Sequence, residues 1–210
     1  MIKLVIFDLD GTLVDAYQAI TKSFNHTMRR LGYPVRDGSF IRRAVGWGDR
    51  KLLEPYVKPA DLKKALEIYR DYHKAALIKW SRLLPGVRKT LSYLEEKGYK
   101  LAVASNRPTR FCRILLKHLK LSGFFGCVLC ADKLKHAKPH PEILRRLMSE
   151  FNVSAQETCF VGDMVIDAMT ARSSGVKSVI VTGGSSKEAE IRPEKPFRII
   201  RKFKSLQKIL

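Results

Sequence analysis

The most constraining feature of the chain is an alternation. Five short apolar runs, at residues 3–7, 100–104, 126–130, 157–161 and 177–181, are joined in their later part by stretches of helical periodicity at 107–119, 140–151 and 164–174, with another at 86–97. Short apolar runs bounded by turn residues read as buried strands. Strands alternating with helices predict a parallel sheet covered on both faces, a doubly wound (Rossmann-like) α/β core. A weaker strand at 197–200 and a short helix complete this reading.

Residues 15–81 break the pattern. Tyr17, Ile20, Phe24, Met28 and Leu31 recur at spacings of three and four, forming one apolar stripe that ends at Gly32. A short segment around Phe40, Ile41 and Val45 leads into Gly46-Trp47-Gly48, and Pro59-Ala60-Asp61 opens a long helix carrying Leu62, Leu66, Tyr69, Tyr72, Ala76 and Trp80 on one side. The whole block reads as helical, without a strand. Because the 3–7 strand belongs to the sheet that resumes after Pro85-Gly86, this block is expected to be a small helical cap, residues 15–81, inserted into a core made of 1–14 and 82–210.

The first strand stops at Asp8-Leu9-Asp10-Gly11-Thr12. A strand that ends on two carboxylates delivers them to the sheet edge where open α/β folds bind ligands. One intervening residue lets both acids leave the same strand end, and two negative charges so close need a cation or a shared proton. Mg²⁺ suits the pair, since it takes oxygen ligands from one or two carboxylates together with substrate phosphate. Taken alone, D-x-D-G is equally compatible with a surface turn.

Three later stretches bear on that choice. Leu101-Ala102-Val103-Ala104 ends in Ser105-Asn106; Lys138-Pro139-His140-Pro141 precedes an amphipathic helix; Thr158-Cys159-Phe160-Val161 ends in Gly162-Asp163, with Asp167 four residues on. With these four stretches in this order, the sequence resembles the haloacid dehalogenase-like hydrolase superfamily over almost its whole length, and within it the phosphoglycolate phosphatase-like group, close also to β-phosphoglucomutase.

The resemblance implies a role for each motif. Asp8 is the expected nucleophile, forming an aspartyl phosphate. Asp10 is the expected acid and base, protonating the leaving oxygen and then deprotonating the hydrolytic water. Asp10 is absent from the dehalogenases and typically replaced by a small residue in phosphonate-cleaving members, so its presence favours a phosphoryl ester. Ser105, with the neighbouring Asn106, is expected to hold the transferring phosphoryl at a helix start, and Lys138 to balance charge as a fixed cation. The expected Mg²⁺ ligands are Asp8, the Asp10 carbonyl and Asp163, with Asp167 binding directly or through its neighbours. His140, at a variable position of its motif, is expected at the surface. Gly46 and Trp47, beside Arg43, Arg42 and Arg50, resemble a cap loop that contacts substrate; a cap core enclosing Trp47, with the arginines in solvent, accounts for the same residues. Asp15 matches an acid common near the hinge.

The charge is unusual for such a chain, with 40 Lys and Arg against 20 Asp and Glu, a formal net charge of +20. A field of that sign concentrates anionic substrates. The basic residues are dispersed over many helices without a nucleic-acid motif, so a small phosphorylated substrate rather than nucleic acid is the expected partner, and the dense 192–208 stretch is expected to be a solvated last strand and helix. No apolar run approaches ~20 residues, so no membrane span is expected. Four cysteines without export features read as reduced, buried thiols in a cytoplasmic protein, monomeric or homodimeric. The functional expectation is a Mg²⁺-dependent phosphatase of small phosphorylated metabolites of the phosphoglycolate type. Its alternatives are a phosphosugar mutase, a pyrophosphatase or nucleotidase, and a basic polyanion-binding protein on the same fold.

Overall fold

The computed structural model describes all 210 residues. Strand β1 (Leu4–Phe7) runs into a tight turn and a two-residue strand, β2 (Val14–Asp15), after which the chain is helical: α1 (Tyr17–Leu31), α2 (Gly38–Ala44), α3 (Asp49–Leu53) and α4 (Leu62–Trp80). It returns through β3 (Arg82–Leu83), which pairs antiparallel with β2, Asp15 opposite Arg82. Arg82 donates to the Asp15 carboxylate from Nε at 3.2 Å and Nη2 at 3.0 Å. The two passages between the helical block and the sheet are thus tied together, and Asp15, read only as an acid near the hinge, is the tie. Two-residue strands leave no periodic signal, which is why 15–81 reads as strand-free.

The remaining elements alternate: α5 (Val87–Glu96), β4 (Lys100–Ser105), α6 (Thr109–His118), β5 (Cys127–Cys130), α7 (Glu142–Phe151), β6 (Thr158–Gly162), α8 (Val165–Ser174), β7 (Lys177–Val181), α9 (Glu188–Ile191) and β8 (Arg198–Ile200). The last helical segment, Phe203–Lys208, is a 3₁₀ turn. The six long-range strands form one parallel sheet in the order β5-β4-β1-β6-β7-β8. The chain moves outward from β1 through β4 and β5, then crosses back to lay β6, β7 and β8 on the other side. That reversal beside β1 leaves a crevice at the carboxyl ends of β1, β4 and β6.

Alternate side chains of β1 enter different cores. Val5 and Phe7 join a large cluster that continues through Phe24, Met28 and Leu77 of the helical block, whereas Leu4 and Ile6 face Ile143, Leu144 and Leu147 of α7. A parallel strand buried on both faces needs this continuous apolar character. The α1–α4 pair carries the helical block, with Phe24 fully buried and edge-on to Tyr56 at 5.5 Å. No helix is long and apolar enough to cross a membrane. Replacing Phe24 by Ala should cost about 3–5 kcal/mol, while the exposed Phe197→Ala should stay within about 0.5 kcal/mol, both read by urea denaturation.

Candidate active site

Asp8 follows β1 directly, its N–H held by the Val161 carbonyl at 2.8 Å, so its position is fixed by the sheet itself. The chain then turns at Gly11, whose N–H reaches the Val14 carbonyl at 2.8 Å with φ at +84°. A side chain at that position would overlap Tyr17 and the Asp163 carboxylate. Thr12 donates its hydroxyl to Asp163 at 3.0 Å, which joins the ends of β1 and β6.

Lys138 enters from the loop before α7 and is almost completely buried. Its ammonium donates to Asp8 Oδ1 at 2.6 Å, Asp167 Oδ1 at 2.7 Å and the Ala104 carbonyl at 3.1 Å, which uses all three of its protons. Burial works against the Lys138 charge, and Asp167 and Asp8 overcome it, so the group is held protonated more firmly than a free lysine. The second Asp167 oxygen accepts the backbone N–H groups of Asp163 at 3.1 Å and Met164 at 3.0 Å. Asp167 is therefore not a solvated charge: it closes the start of α8 and fixes Lys138.

Asp8, Asp163 and Asp167 lie with one carboxylate oxygen each within 4.8 Å of the others, and all three are buried. Three carboxylates against one ammonium leave a negative excess. Burial pushes the Asp8 carboxyl up to about 7 despite the pull of Lys138, and burial together with Asp167 and Asp8 raises Asp163 well above the usual range. Asp163 also accepts from Ser185 N at 3.0 Å and Tyr17 OH at 3.4 Å, and Gly184 is packed so closely that a Cβ there would overlap its carboxylate. A hard, oxygen-only, negatively charged cluster of this kind fits a divalent cation such as Mg²⁺.

Ser105 and Asn106 leave the end of β4. Ser105 lines the cavity, and its hydroxyl accepts Arg107 N–H at 3.2 Å. Asn106 does something else: its amide donates to the Gly46 and Lys138 carbonyls, both at 3.0 Å, and its oxygen accepts Lys138 N–H at 2.8 Å. With every side-chain group committed, Asn106 is a bracket that joins the cap loop to the lysine loop. The Lys138–Pro139 bond is cis, and His140 is exposed.

A cavity lies between cap and sheet, with Asp8, Asp10, Ser105 and Lys138 at its floor and Leu52 and Phe111 among its walls. Gly46 and Gly48 line it, but Trp47 does not and is 40% exposed. Trp47 is therefore neither in the cap core nor on the cavity wall. Arg43 turns away as well, donating to the Ser185 carbonyl at 2.6 Å and gripping Glu190 with both terminal nitrogens. Arg42 reaches the Gly183 and Gly184 carbonyls and covers the Tyr17 ring. These arginines pin the cap to the loop after β7 instead of reaching into the cavity.

Asp10 is the acid least predictable in its surroundings. Its two oxygens are held by Arg107, from Nε at 2.8 Å and Nη2 at 2.7 Å, and the ion pair is nearly buried. Arg107 in turn touches His73 of the cap. Sequence reading missed Arg107, His73, Tyr17 and Ser185. The available signal was Arg107 itself, a cation immediately after Ser105-Asn106 at a strand end.

Comparison with known proteins agrees with this geometry. Residues 5–181 match the haloacid dehalogenase-like hydrolases. The chain is 31% identical to the phosphoglycolate phosphatase of Pseudomonas putida, covering 97% of this chain and 78% of that one, and 31% identical to that of Haemophilus influenzae, covering 99% and 98%. The crystal structure of a predicted phosphoglycolate phosphatase from Haemophilus somnus superposes with a TM-score of 0.93 at 29% identity, over 99% of this chain and 97% of that one. With the strand-end aspartates, the buried lysine and the acidic cluster in one crevice, and with a match that spans most of its length, the chain belongs to the haloacid dehalogenase-like hydrolase family.

Proposed function

We propose that this chain is a Mg²⁺-dependent phosphatase of small phosphomonoesters of the phosphoglycolate type, working through an aspartyl phosphate on Asp8. The observation that carries this reading is the placement of Asp8 and Asp10 at the floor of one cavity, with Lys138 bound to the first and Arg107 to the second. The phosphoglycolate phosphatases among its relatives support the substrate class.

The residues divide the work. Asp8, anchored by Lys138, attacks phosphorus, and Asp10 supplies the proton that the departing alkoxide needs. To carry that proton Asp10 releases one of its two bonds to Arg107 and pivots on the other. Asp10 then takes a proton from the water that cleaves the aspartyl phosphate, which returns Asp8. Ser105 and Lys138 face the phosphoryl oxygens, where fixed dipoles and charge stabilise the transition state. Asp8, Asp163 and the Asp10 carbonyl, with Asp167 beside them, would hold Mg²⁺, which when bound neutralises charge on the phosphoryl group and carboxylates. The walls contributed by Leu52 and Phe111 place apolar surface beside the polar residues of the cavity, where the non-reacting part of a small ester would lie.

Phosphate release from phosphoglycolate, hexose phosphates, nucleotides and pyrophosphate, with and without Mg²⁺, tests the reading. A Mg²⁺-dependent preference for a small ester is expected, abolished in Asp8→Asn with the circular dichroism unchanged. Turnover by Asp8→Asn, or isomerisation of a hexose phosphate without phosphate release, would contradict it.

A second expectation concerns stability. Asp8 has its folded-state pKa raised from 3.8 to about 7. Between those values the folded chain binds more protons than the unfolded one, so this group makes stability fall as pH rises through the window. Mg²⁺ needs the ionised carboxylates, so it should raise the melting temperature more at about pH 8 than at about pH 5, measured against a chelator control. An equal rise at both would remove Asp8 from the ligand set.

A further inference from the structure

His73 is a buried histidine for which the reaction has no direct use. It lies on α4, 1% exposed, stacked on Tyr69 at 4.8 Å and edge-on to Phe111 at 5.0 Å. Its Nε2 lies 2.7 Å from Arg107 Nη1 and its Nδ1 lies 2.8 Å from the Ser23 hydroxyl of α1. A guanidinium only donates, so Nε2 carries the lone pair and Nδ1 the proton. Ser23 accepts from Nδ1 and donates onward to the Ala19 carbonyl at 2.8 Å. Burial, with Arg107 and Arg110 nearby, pushes His73 down to about 2, in keeping with a neutral ring.

The donors therefore run in one direction through the cap: Arg107 to His73, His73 to Ser23, Ser23 to the α1 backbone. In the other direction Arg107 donates to both oxygens of Asp10. Ser23 and His73 belong to the cap, while Arg107 and Asp10 belong to the sheet edge. Arginine is long and rotamer-rich, and two bonds to a single carboxylate leave the pair free to swing together. The third bond, to a ring wedged between Tyr69 and Phe111, removes that freedom.

We propose that His73 is a positioning residue: the chain Ser23–His73–Arg107–Asp10 is a buried strut through which the seated cap holds the acid Asp10 at the cavity floor. When Asp10 gives up one Arg107 bond to carry a proton, Arg107 stays in place because His73 still grips it. Asp10 then pivots on a fixed point. The strut makes proton delivery, rather than substrate capture, depend on the cap. This inference rests on the phosphatase reading with Asp10 as the acid.

The test separates proton delivery from everything else by comparing two phosphates of nearly the same shape, an ester and an acyl phosphate, in saturating Mg²⁺. Ethyl phosphate expels an alkoxide and needs the acid; acetyl phosphate expels acetate and does not. In His73→Leu, kcat/KM for ethyl phosphate should fall on the order of tenfold more than for acetyl phosphate, and His73→Gln, which can both accept from Arg107 and donate to Ser23, should restore the wild-type ratio to within about threefold. Equal losses for both compounds in His73→Leu, as a general loosening of the cap would give, would overturn the strut, as would no change in the ratio or a failure of His73→Gln to restore it. Wild-type protein that hydrolyses neither compound, nor phosphoglycolate, would instead overturn the phosphatase reading.

Discussion

The site depends on one buried ammonium. Lys138 gives its protons to Asp8, Asp167 and the end of β4, so it ties three of the loops that meet at the sheet edge. Removing one partner of such a buried charged contact generally costs about 3–5 kcal/mol, because the remaining charge is left uncompensated. The arrangement is unbalanced: the ammonium offsets only part of the charge of Asp8, Asp163 and Asp167. That residual charge makes the cluster a fit for a divalent cation, and burial of the same site is the main cause of the elevated Asp8 carboxyl. Lys138 opposes that burial and favours the ionised form of Asp8.

Much of this was legible in the chain because it is local. A strand that must be apolar on both faces stops where its last residue leaves the sheet, so Asp8, Ser105 and Asp163 announce themselves as the polar residues at three strand ends. The order of the strands could not be read locally, yet the parallel alternation already placed those ends on one edge. Lys138 was marked by the prolines around it. The residues that escaped were those whose roles depend on distant partners. His73 sits within an apolar helical stripe, and nothing in its neighbourhood shows that Arg107, 34 positions away, will reach it. Tyr17 looked like the first member of the α1 stripe and in fact points its hydroxyl at Asp163.

The cap loop shows the limit from the other side. Gly46-Trp47-Gly48 with its arginines suggested contact with substrate, but a motif fixes neither the path of a loop nor the direction of a long side chain. The glycines line the cavity through their backbone, Trp47 stands at the surface, and Arg42 and Arg43 find carbonyls and Glu190 across the cap boundary. Cations are abundant in this chain, and most are solvated or paired at the surface. Around the cavity the buried ones are Lys138, which binds Asp8 and Asp167, and Arg107, which binds Asp10. The excess of positive charge is thus a property of the surface field, whereas the two cations that reach the strand-end aspartates are buried.

The central claim, that Asp8 carries the phosphoryl group, has a direct chemical test. Borohydride added during turnover with Mg²⁺ and a small phosphate ester reduces an acyl phosphate to the alcohol, so peptide mass spectrometry should find homoserine at position 8 and aspartate unchanged at positions 10, 163 and 167. Turnover without any conversion at position 8, or conversion at another aspartate, would contradict the account.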